Sequence, residues 1–318
     1  MTGGPGAAAL ASRTIAAQPA AAINYGILGD AAKGLGRYDQ AAAAYKSLAR
    51  LQPGLVASVL GARLEWLQGN RRGALLSFEN AVMDGDRHPA LLAWSQAEYA
   101  NAIFEDSGVL GAEQTYLAAL RSDSRAPAAL TGLTRLRAGQ GRLAEATDLL
   151  HRAVSLAPLP AYLTELADVY TLRGQREQAG ASLQRGWDAY GQQSARGVDV
   201  ALLQTEAALD HGRRIPDAAI VARRALASSQ DSETADRAAW VLYLAGQSQA
   251  AWTAESGAIN HGLKSATTYF HAGLILDRLH DPLTAFSYLR AAVMLNPNFS
   301  IQYAPSLGTA LRRLAGRH

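Results

Sequence analysis

The sequence has no cysteine, and this absence excludes disulfide bonds, thiolate catalysis and cysteine-ligated zinc or iron–sulfur sites. No apolar run reaches the roughly 18 residues that a membrane-spanning helix needs. The opening stretch, MTGGPGAAALASRTIAAQPA, also lacks the basic start and the strongly apolar middle of a signal peptide. As written, the chain is expected to be cytoplasmic without membrane insertion, and a longer exported or anchored precursor is the alternative.

The chain carries little excess charge of either sign. Its 30 Lys and Arg residues and 27 Asp and Glu residues give a formal net charge of +3 over 318 residues. Several arginine pairs occur, but none is interleaved with the aromatic side chains on which nucleic-acid bases stack. We therefore predict no nucleic-acid partner and interpret the arginine pairs as solvated helix ends.

Motifs for catalysis or cofactor binding are missing as well. The seven histidines never stand at a metal-binding spacing such as H-E-x-x-H, and no G-x-S-x-G nucleophile motif occurs. The glycine-rich stretch GILGDAAKGLG has the glycine spacing of a P-loop, but Leu35 and Gly36 stand where Lys and Ser or Thr would hold phosphates. We therefore predict no metal, no cofactor and no enzymatic activity.

What the sequence does contain is a helix-favouring composition and an internal period. Alanine, leucine and arginine are abundant, 49% of the residues are apolar, and no convincing strand pattern is present. Small residues, aromatics and prolines recur at a spacing of about 34 residues. The clearest unit starts at Ala22 and contains Tyr25, Leu28, Gly29, Ala41, Tyr45 and Pro53.

These offsets resemble the W-x2-L-G…A-x3-F…P pattern of the tetratricopeptide repeat, with tyrosine in both aromatic positions. The resemblance implies an all-α fold, a right-handed superhelical α-solenoid of antiparallel helix pairs. We expect an N-terminal tail with one lone helix over residues 1–21, a capping helix over 301–318, and about eight repeats between them. The predicted repeats cover residues 22–54, 55–88, 89–126, 127–159, 160–197, 198–231, 232–265 and 266–300.

The final segment, APSLGTALRRLAGRH, has the pattern of an amphipathic helix that covers the end of the array. Because a helix pair cannot bury its apolar face alone, the ends of such an array need caps. Three leucines share one face, and three arginines stand near the negative end of the helix. These residues are Leu307, Leu311 and Leu314, and Arg312, Arg313 and Arg317.

In the tetratricopeptide family the first helix of each pair lines a concave groove, and the resemblance implies where a partner would bind. By register, the N-terminal half of the groove contains Lys33, Arg63, Trp66, Asn101, Phe104 and Arg135. Its C-terminal half contains Asp168, Glu206, Asp236, Trp240, Tyr243 and Asp277. The first set is basic and the second acidic, which predicts an extended partner that is acidic at one end and basic at the other.

Two interpretations of these residues stay open at this level. If they are binding anchors, replacing Arg63 and Arg135 by glutamate is expected to abolish partner binding without changing the melting temperature. In the other interpretation, Trp66, Phe104 and Trp240 pack between repeats and the charged groups are only solvated. A register error of one residue is enough to move a side chain from one situation to the other.

The expected function is a non-enzymatic scaffold that binds a protein or peptide partner in the groove. The alternative is an accessory or regulatory subunit of a bacterial enzyme or transport complex that docks through its convex face or edges. Docking to chaperone C termini is not expected, because the positions of the family's carboxylate clamp hold other residues. They are Gly26, Asp30, Leu60, Trp94 and Glu98. The sequence leaves the oligomeric state and the identity of the partner open.

Overall fold

The computed structural model describes residues 5–85, 87–106 and 108–316, and within these ranges it contains helices and turns but no strand. The described helices are α1 (Pro5–Ala17), α2 (Ala22–Lys33), α3 (Tyr38–Leu51), α4 (Leu55–Leu67), α5 (Arg71–Asp84), α6 (Pro89–Glu105), α7 (Val109–Ser122), α8 (Pro127–Gly139), α9 (Leu143–Leu156), α10 (Pro160–Leu172), α11 (Arg176–Ala195), α12 (Ala201–Asp210), α13 (Ala218–Ser228), α14 (Ser232–Leu244), α15 (Ser248–Asn260), α16 (Ala266–Arg278), α17 (Pro282–Leu295) and α18 (Ala304–Ala315). The predicted all-α fold is confirmed.

Two predictions include residues beyond the described part of the chain. The first four residues of the predicted tail, and Arg317 of the predicted cap, lie outside the described residues. Among the helices that are described, none combines the length and the apolar character required to cross a lipid bilayer.

Several helices begin where the sequence places a proline or a short polar side chain. Proline stands in the first turn of α6, α8, α10 and α17, where its fixed φ suits the helix and its missing N–H is not needed. At the start of α14, the Asp231 carboxylate accepts hydrogen bonds from the N–H groups of Glu233 and Thr234. The Ser265 hydroxyl accepts one from the N–H of Thr268 at the start of α16. These caps fix both helix starts.

Helices that are adjacent in sequence pack in pairs: α2 with α3, α4 with α5, α6 with α7, α8 with α9, α10 with α11, α14 with α15, and α16 with α17. The fold is therefore an α-solenoid of helix pairs, as predicted.

Gly29 shows why small residues recur between the two helices of a pair. A Cβ atom there would lie 2.2 Å from Cε1 of Tyr45, a buried ring whose hydroxyl donates to Asp30 at 2.7 Å. A larger side chain would force the two helices apart.

The chain divides into two compact units, each built from an earlier and a later part of the sequence. Unit 1 comprises Met1–Asp86 and Ala208–Lys264, and unit 2 comprises Arg87–Ala207 and Ser265–His318. The boundaries between the units, at 86/87, 207/208 and 264/265, fall inside the second, sixth and seventh predicted repeats. The repeat boundaries themselves stay a prediction.

In unit 1, the turn between α2 and α3 lies against the start of α14. Gly36 adopts a φ of +72°, and a Cβ atom there would be 2.5 Å from the carbonyl carbon of Gln230. The Ser229 hydroxyl donates to the carbonyl oxygen of Gly34 at 2.7 Å, although the two residues are 195 positions apart. The Tyr38 hydroxyl accepts from the N–H of Ser232 at 3.0 Å. Backbone-to-backbone approach of this kind requires glycine at the turn.

A second contact in unit 1 joins the end of α4 to the end of α15. Leu67, Ala258 and Leu263 form a small buried apolar cluster. Next to it, a Cβ atom on Gly69 would lie 2.9 Å from the carbonyl oxygen of Gly262. The turns that follow α2 and α4 therefore both contact later segments of the chain, which the repeat pattern does not predict.

Unit 2 has a continuous apolar core along α6 to α9. Tyr116, Leu130 and Leu136 are fully buried in it. A neighbouring cluster includes Leu150 and Ile301, so the segment after α17 packs against α9 and α10.

The last helix, α18, packs against α17 in unit 2. It buries Leu307 and Leu314 and exposes Arg312 and Arg313, in the amphipathic arrangement that the sequence predicts. The Arg313 guanidinium also forms an ion pair with Asp277 of α16.

Candidate functional site

The predicted groove residues of α2 and α4 are partly exposed in unit 1. Lys33, Arg63 and Trp66 all retain intermediate solvent exposure. The guanidinium of Arg71 lies 4.0 Å from the centroid of the Trp66 ring and also donates to the carbonyl oxygen of Lys264. Trp66 is thus engaged by a cation–π contact at the junction of α4 and α5 with the end of α15.

The predicted groove residues of α14 are buried in unit 1. Trp240 and Tyr243 stack with their ring centroids 5.0 Å apart, and the Trp240 indole N–H donates to Asp210 at 2.8 Å. Asp236 is also buried. The rings of Trp240 and Tyr243 therefore lie inside unit 1, and of these two residues the second interpretation of the sequence named Trp240.

A buried glutamate on α15 was not singled out by its sequence pattern. Glu255 is completely buried, and neither of its carboxylate oxygens receives a hydrogen bond from the described residues. A carboxylate oxygen of Asp236 lies within 4.8 Å. Burial, and secondarily Asp236, raises the pKa of Glu255 well above its usual value. The signal available in the sequence was spacing, because Ala251 and Ala258 stand on the same helix face.

We predict that Glu255→Gln stabilises the protein near neutral pH. The raised pKa means that folding favours the neutral carboxyl, and this contribution is lost as the pH rises through the pKa of the folded state. The amide cannot ionise, so the variant should melt a few degrees higher at about pH 8, and the difference should vanish near about pH 4. Thermal unfolding across this range measures the effect. Glu79→Gln, on the exposed face of α5, is the control and should show no such pH-dependent gain.

Three predicted groove residues come together in unit 2. Asn101 and Phe104 of α6 and Arg135 of α8 line one cavity of about 90 Å³. The remaining lining comes from Glu105, from the start of α16 and from the segment after α17. These residues are Ser265, Ala266, Thr267, Asn296 and Phe299. The register of the first helices predicts none of these additional residues.

Asn101 and Arg135 are held in place by their neighbours. The buried hydroxyl of Tyr116 donates to Asn101 Oδ1 at 2.6 Å, and burial raises the pKa of Tyr116, so the hydroxyl remains a donor. Both Nε and Nη2 of Arg135 donate to Oε1 of Glu165, at 3.0 and 2.8 Å. Glu165 also raises the pKa of Arg135, which stays charged. Both side chains therefore point a fixed polar group at the cavity.

The segment after α17 is fastened to α6 and α8. The buried side chain of Asn296 donates to the carbonyl oxygen of Phe104 at 2.9 Å and accepts from the N–H of Asn298 at 2.9 Å. A Cβ atom on Gly139 would lie 2.6 Å from Cβ of Asn298. The segment that forms this wall of the cavity is therefore held in a defined position within unit 2.

The charge around this cavity differs from the basic character that the sequence predicted for the first half of the groove. Among the described residues of the lining, Arg135 is the only one with a cationic side chain, and it is ion-paired with Glu165. Glu105 is part of the lining, and both Glu98 and Glu105 act electrostatically on Tyr116. Glu165 and Glu105 thus both act electrostatically on Arg135. Arg135→Glu would set two carboxylates against each other, so the earlier expectation of an unchanged melting temperature does not fit Arg135.

The other predicted residues of unit 2 lie outside this cavity. Asp168, Glu206 and Asp277 are partly exposed, and none is in the lining. Asp277 is the partner of Arg313 in the capping helix. The structure therefore brings together three of the twelve predicted groove residues, those of α6 and α8.

Comparison with known proteins places the fold. The family model described as tetratricopeptide repeat matches residues 22–54. The chain is similar to the crystal structure of the APC/C hetero-tetramer Cut9-Hcn1, with 14% identity and a TM-score of 0.51 over 95% of this chain and 57% of that one. It thus spans little more than half the length of that protein. No curated protein sequence matches significantly.

Two further solved structures are more distant. A tetratricopeptide repeat protein from Parabacteroides merdae ATCC 43184 has 14% identity and a TM-score of 0.41, covering 84% of this chain and 90% of that one. YrrB, described as a tetratricopeptide repeat protein with an unusual peptide-binding site, has 16% identity and a TM-score of 0.36, covering 56% of this chain and 91% of that one.

Proposed function

We propose that this protein, a tetratricopeptide-repeat protein, is a non-enzymatic scaffold that binds an extended segment of a partner protein along the inner helices of unit 2. The observation that carries the proposal is the cavity between α6, α8 and the start of α16, where polar side chains converge beside two phenylalanine rings. Concave sites with a few fixed polar groups in apolar surroundings are typical of binding sites.

The size of the cavity favours a macromolecular partner over a free small molecule. At about 90 Å³ it is well below the roughly 300 Å³ at which pockets for drug-sized ligands begin. It has room for the head group of one side chain, while the rest of a bound segment would lie on the neighbouring inner surface. The partly exposed side chains of Arg135 and Asn101 keep the cavity accessible.

A second candidate function, an accessory subunit that docks through the outer surface, is favoured by apolar side chains on α5. Leu76 is 58% exposed and Met83 is 78% exposed, and they stand seven residues apart on the same helix. Large exposed apolar side chains on one face are a common feature of docking surfaces.

A peptide selection distinguishes the two surfaces. We expect peptides selected from a random phage-displayed library on the wild-type protein to bind the Thr267→Trp variant about ten-fold more weakly. The indole would occupy the mouth of the cavity at the second residue of α16. The matched control is Thr253→Trp, because Thr253 is exposed on α15, and it should bind as the wild type does.

Equal binding of the selected peptides to the wild type and to Thr267→Trp would contradict the proposal. If binding is instead lost in a Leu76→Asp, Met83→Asp double variant, the outer surface of α5 is the docking site. Melting temperatures of all variants establish that each one is folded before its binding is compared.

A further inference from the structure

We propose that the unit 2 cavity recognises an uncharged primary amide, the side chain of a glutamine or asparagine in the bound segment. This inference rests on the proposed function, since it names the chemistry of one contact within the bound segment. It is carried by the hydrogen-bond donors left unused around the cavity and by the balance of charge beside them.

Two side chains present unused donors. Among the described residues, Arg135 donates only to Glu165, through Nε and Nη2, which leaves Nη1 and its two hydrogens. Asn101 uses its Oδ1 to accept from Tyr116, while its Nδ2 group donates to no described residue. Both residues line the cavity. A donor at a partly desolvated site costs free energy when it forms no hydrogen bond. Binding of a group with an acceptor atom in the cavity would therefore be favoured.

The start of α16 adds two backbone donors. Ser265 caps the N–H of Thr268. The N–H groups of Ala266 and Thr267 precede the first intrahelical hydrogen bond, and both residues line the cavity. The partner side chain that enters the cavity must therefore carry at least one oxygen that can accept hydrogen bonds from several donors.

Charge decides which oxygen-bearing group fits. A carboxylate side chain in the cavity would meet Glu105 in the lining and an arginine that is already paired with Glu165. An ammonium group in the cavity would be repelled by the guanidinium of Arg135 and by the positive N-terminal end of the α16 dipole. A neutral primary amide avoids both conflicts. Its oxygen accepts from the unused donors, and its NH₂ group can donate to the Glu105 carboxylate.

The test uses four synthetic peptides, Ac-Gly-Gly-X-Gly-Gly-NHCH₃ with X as Gln, Glu, Lys or Leu, titrated onto the 318-residue protein by NMR; the N-methylamide end keeps the C terminus of each peptide neutral without adding a second primary amide. The backbones are identical, so differences report on X alone. We expect the Gln peptide to bind at least about ten-fold more tightly than the other three and to shift the amide signals of Ala266 and Thr267. Equal affinities, absence of binding, or preference for Glu or Lys would overturn the inference.

Two variants isolate the donors. Asn101→Asp retains an acceptor for Tyr116 but removes the Nδ2 donor, and Arg135→Lys retains a positive charge for Glu165 but removes the guanidinium fork. Each should abolish the preference for Gln over Leu. The control is Arg152→Lys, on α9 outside the cavity lining, which should leave the preference unchanged.

The two proposals fail separately. If the phage-selected peptides still require an open cavity at Thr267 but show no dependence on Asn101→Asp, the amide inference is wrong and the scaffold function stands. If they are insensitive to Thr267→Trp, the proposed binding surface is wrong as well.

Discussion

Gly36→Ala is expected to lower the free energy of unfolding by about 3 kcal/mol, because two costs coincide at this turn. The residue has a φ of +72°, which an alanine adopts only with strain. In addition, the new Cβ atom would lie 2.5 Å from the carbonyl carbon of Gln230 and 2.8 Å from the backbone nitrogen of Asp231. Backbone atoms cannot move aside as the end of a flexible side chain can, so the contact in unit 1 would have to open.

The matched control for this prediction is Gly174→Ala. Gly174 has the same φ of +72° in the turn between α10 and α11, but no atom lies within 4 Å of its ideal Cβ position. It should therefore show only the strain, about 1 kcal/mol. Urea unfolding of both variants gives the difference. If the two variants lose the same stability, the close approach of the α2–α3 turn to Gln230 does not exist in solution.

Gly132→Ala is expected to cost about 2 kcal/mol of stability and to weaken the cavity as well. The Cβ atom would lie 2.3 to 2.5 Å from Cε1, Cζ and Oη of Tyr116, a ring that is fully buried. Because the hydroxyl of Tyr116 holds Asn101 in position, displacement of the ring should also reduce binding of the Gln peptide. Urea unfolding and the NMR titration measure the two effects.

Two variants test the reason for that loss. Gly180→Ala, inside α11 with no atom within 4 Å of the ideal Cβ position, should instead gain roughly 0.5 to 1 kcal/mol from helix propensity. Combining Gly132→Ala with Tyr116→Leu should cost less than the sum of the single changes, since the smaller side chain relieves the overlap. Strict additivity would show that the glycine and the ring do not interact.

Much of the fold could be predicted because it depends on short-range spacing. The period of about 34 residues predicts helix pairs, and Gly29 against Tyr45 shows the physical basis for the small and aromatic positions. The capping helix followed from one apolar face, on which Leu307 and Leu314 are indeed buried. These features need only the residues of one pair and its neighbours.

Only part of the candidate site could be predicted from the sequence in the same way. Asn101, Phe104 and Arg135 follow from the register of the first helices, but the opposite wall does not. Asn296 reaches the carbonyl oxygen of Phe104 across 192 positions of sequence. The spacing within one repeat does not specify this contact, because the two residues lie far apart in the sequence.

The sequence by itself determined the all-helical class and the pairing of the helices, since local packing of small against aromatic side chains fixes each pair. Only the tertiary structure decided which inner residues stay accessible. Trp240 is buried in unit 1 against Tyr243 and Asp210, whereas Arg135 in unit 2 stays partly exposed beside the start of α16. The tertiary structure also decided the charge beside the cavity, because Arg135 of α8 is paired with Glu165 of α10. The burial of a side chain and its ion pairs depend on the residues around it in three dimensions. The register of a repeat specifies only which residues face each other within one helix pair.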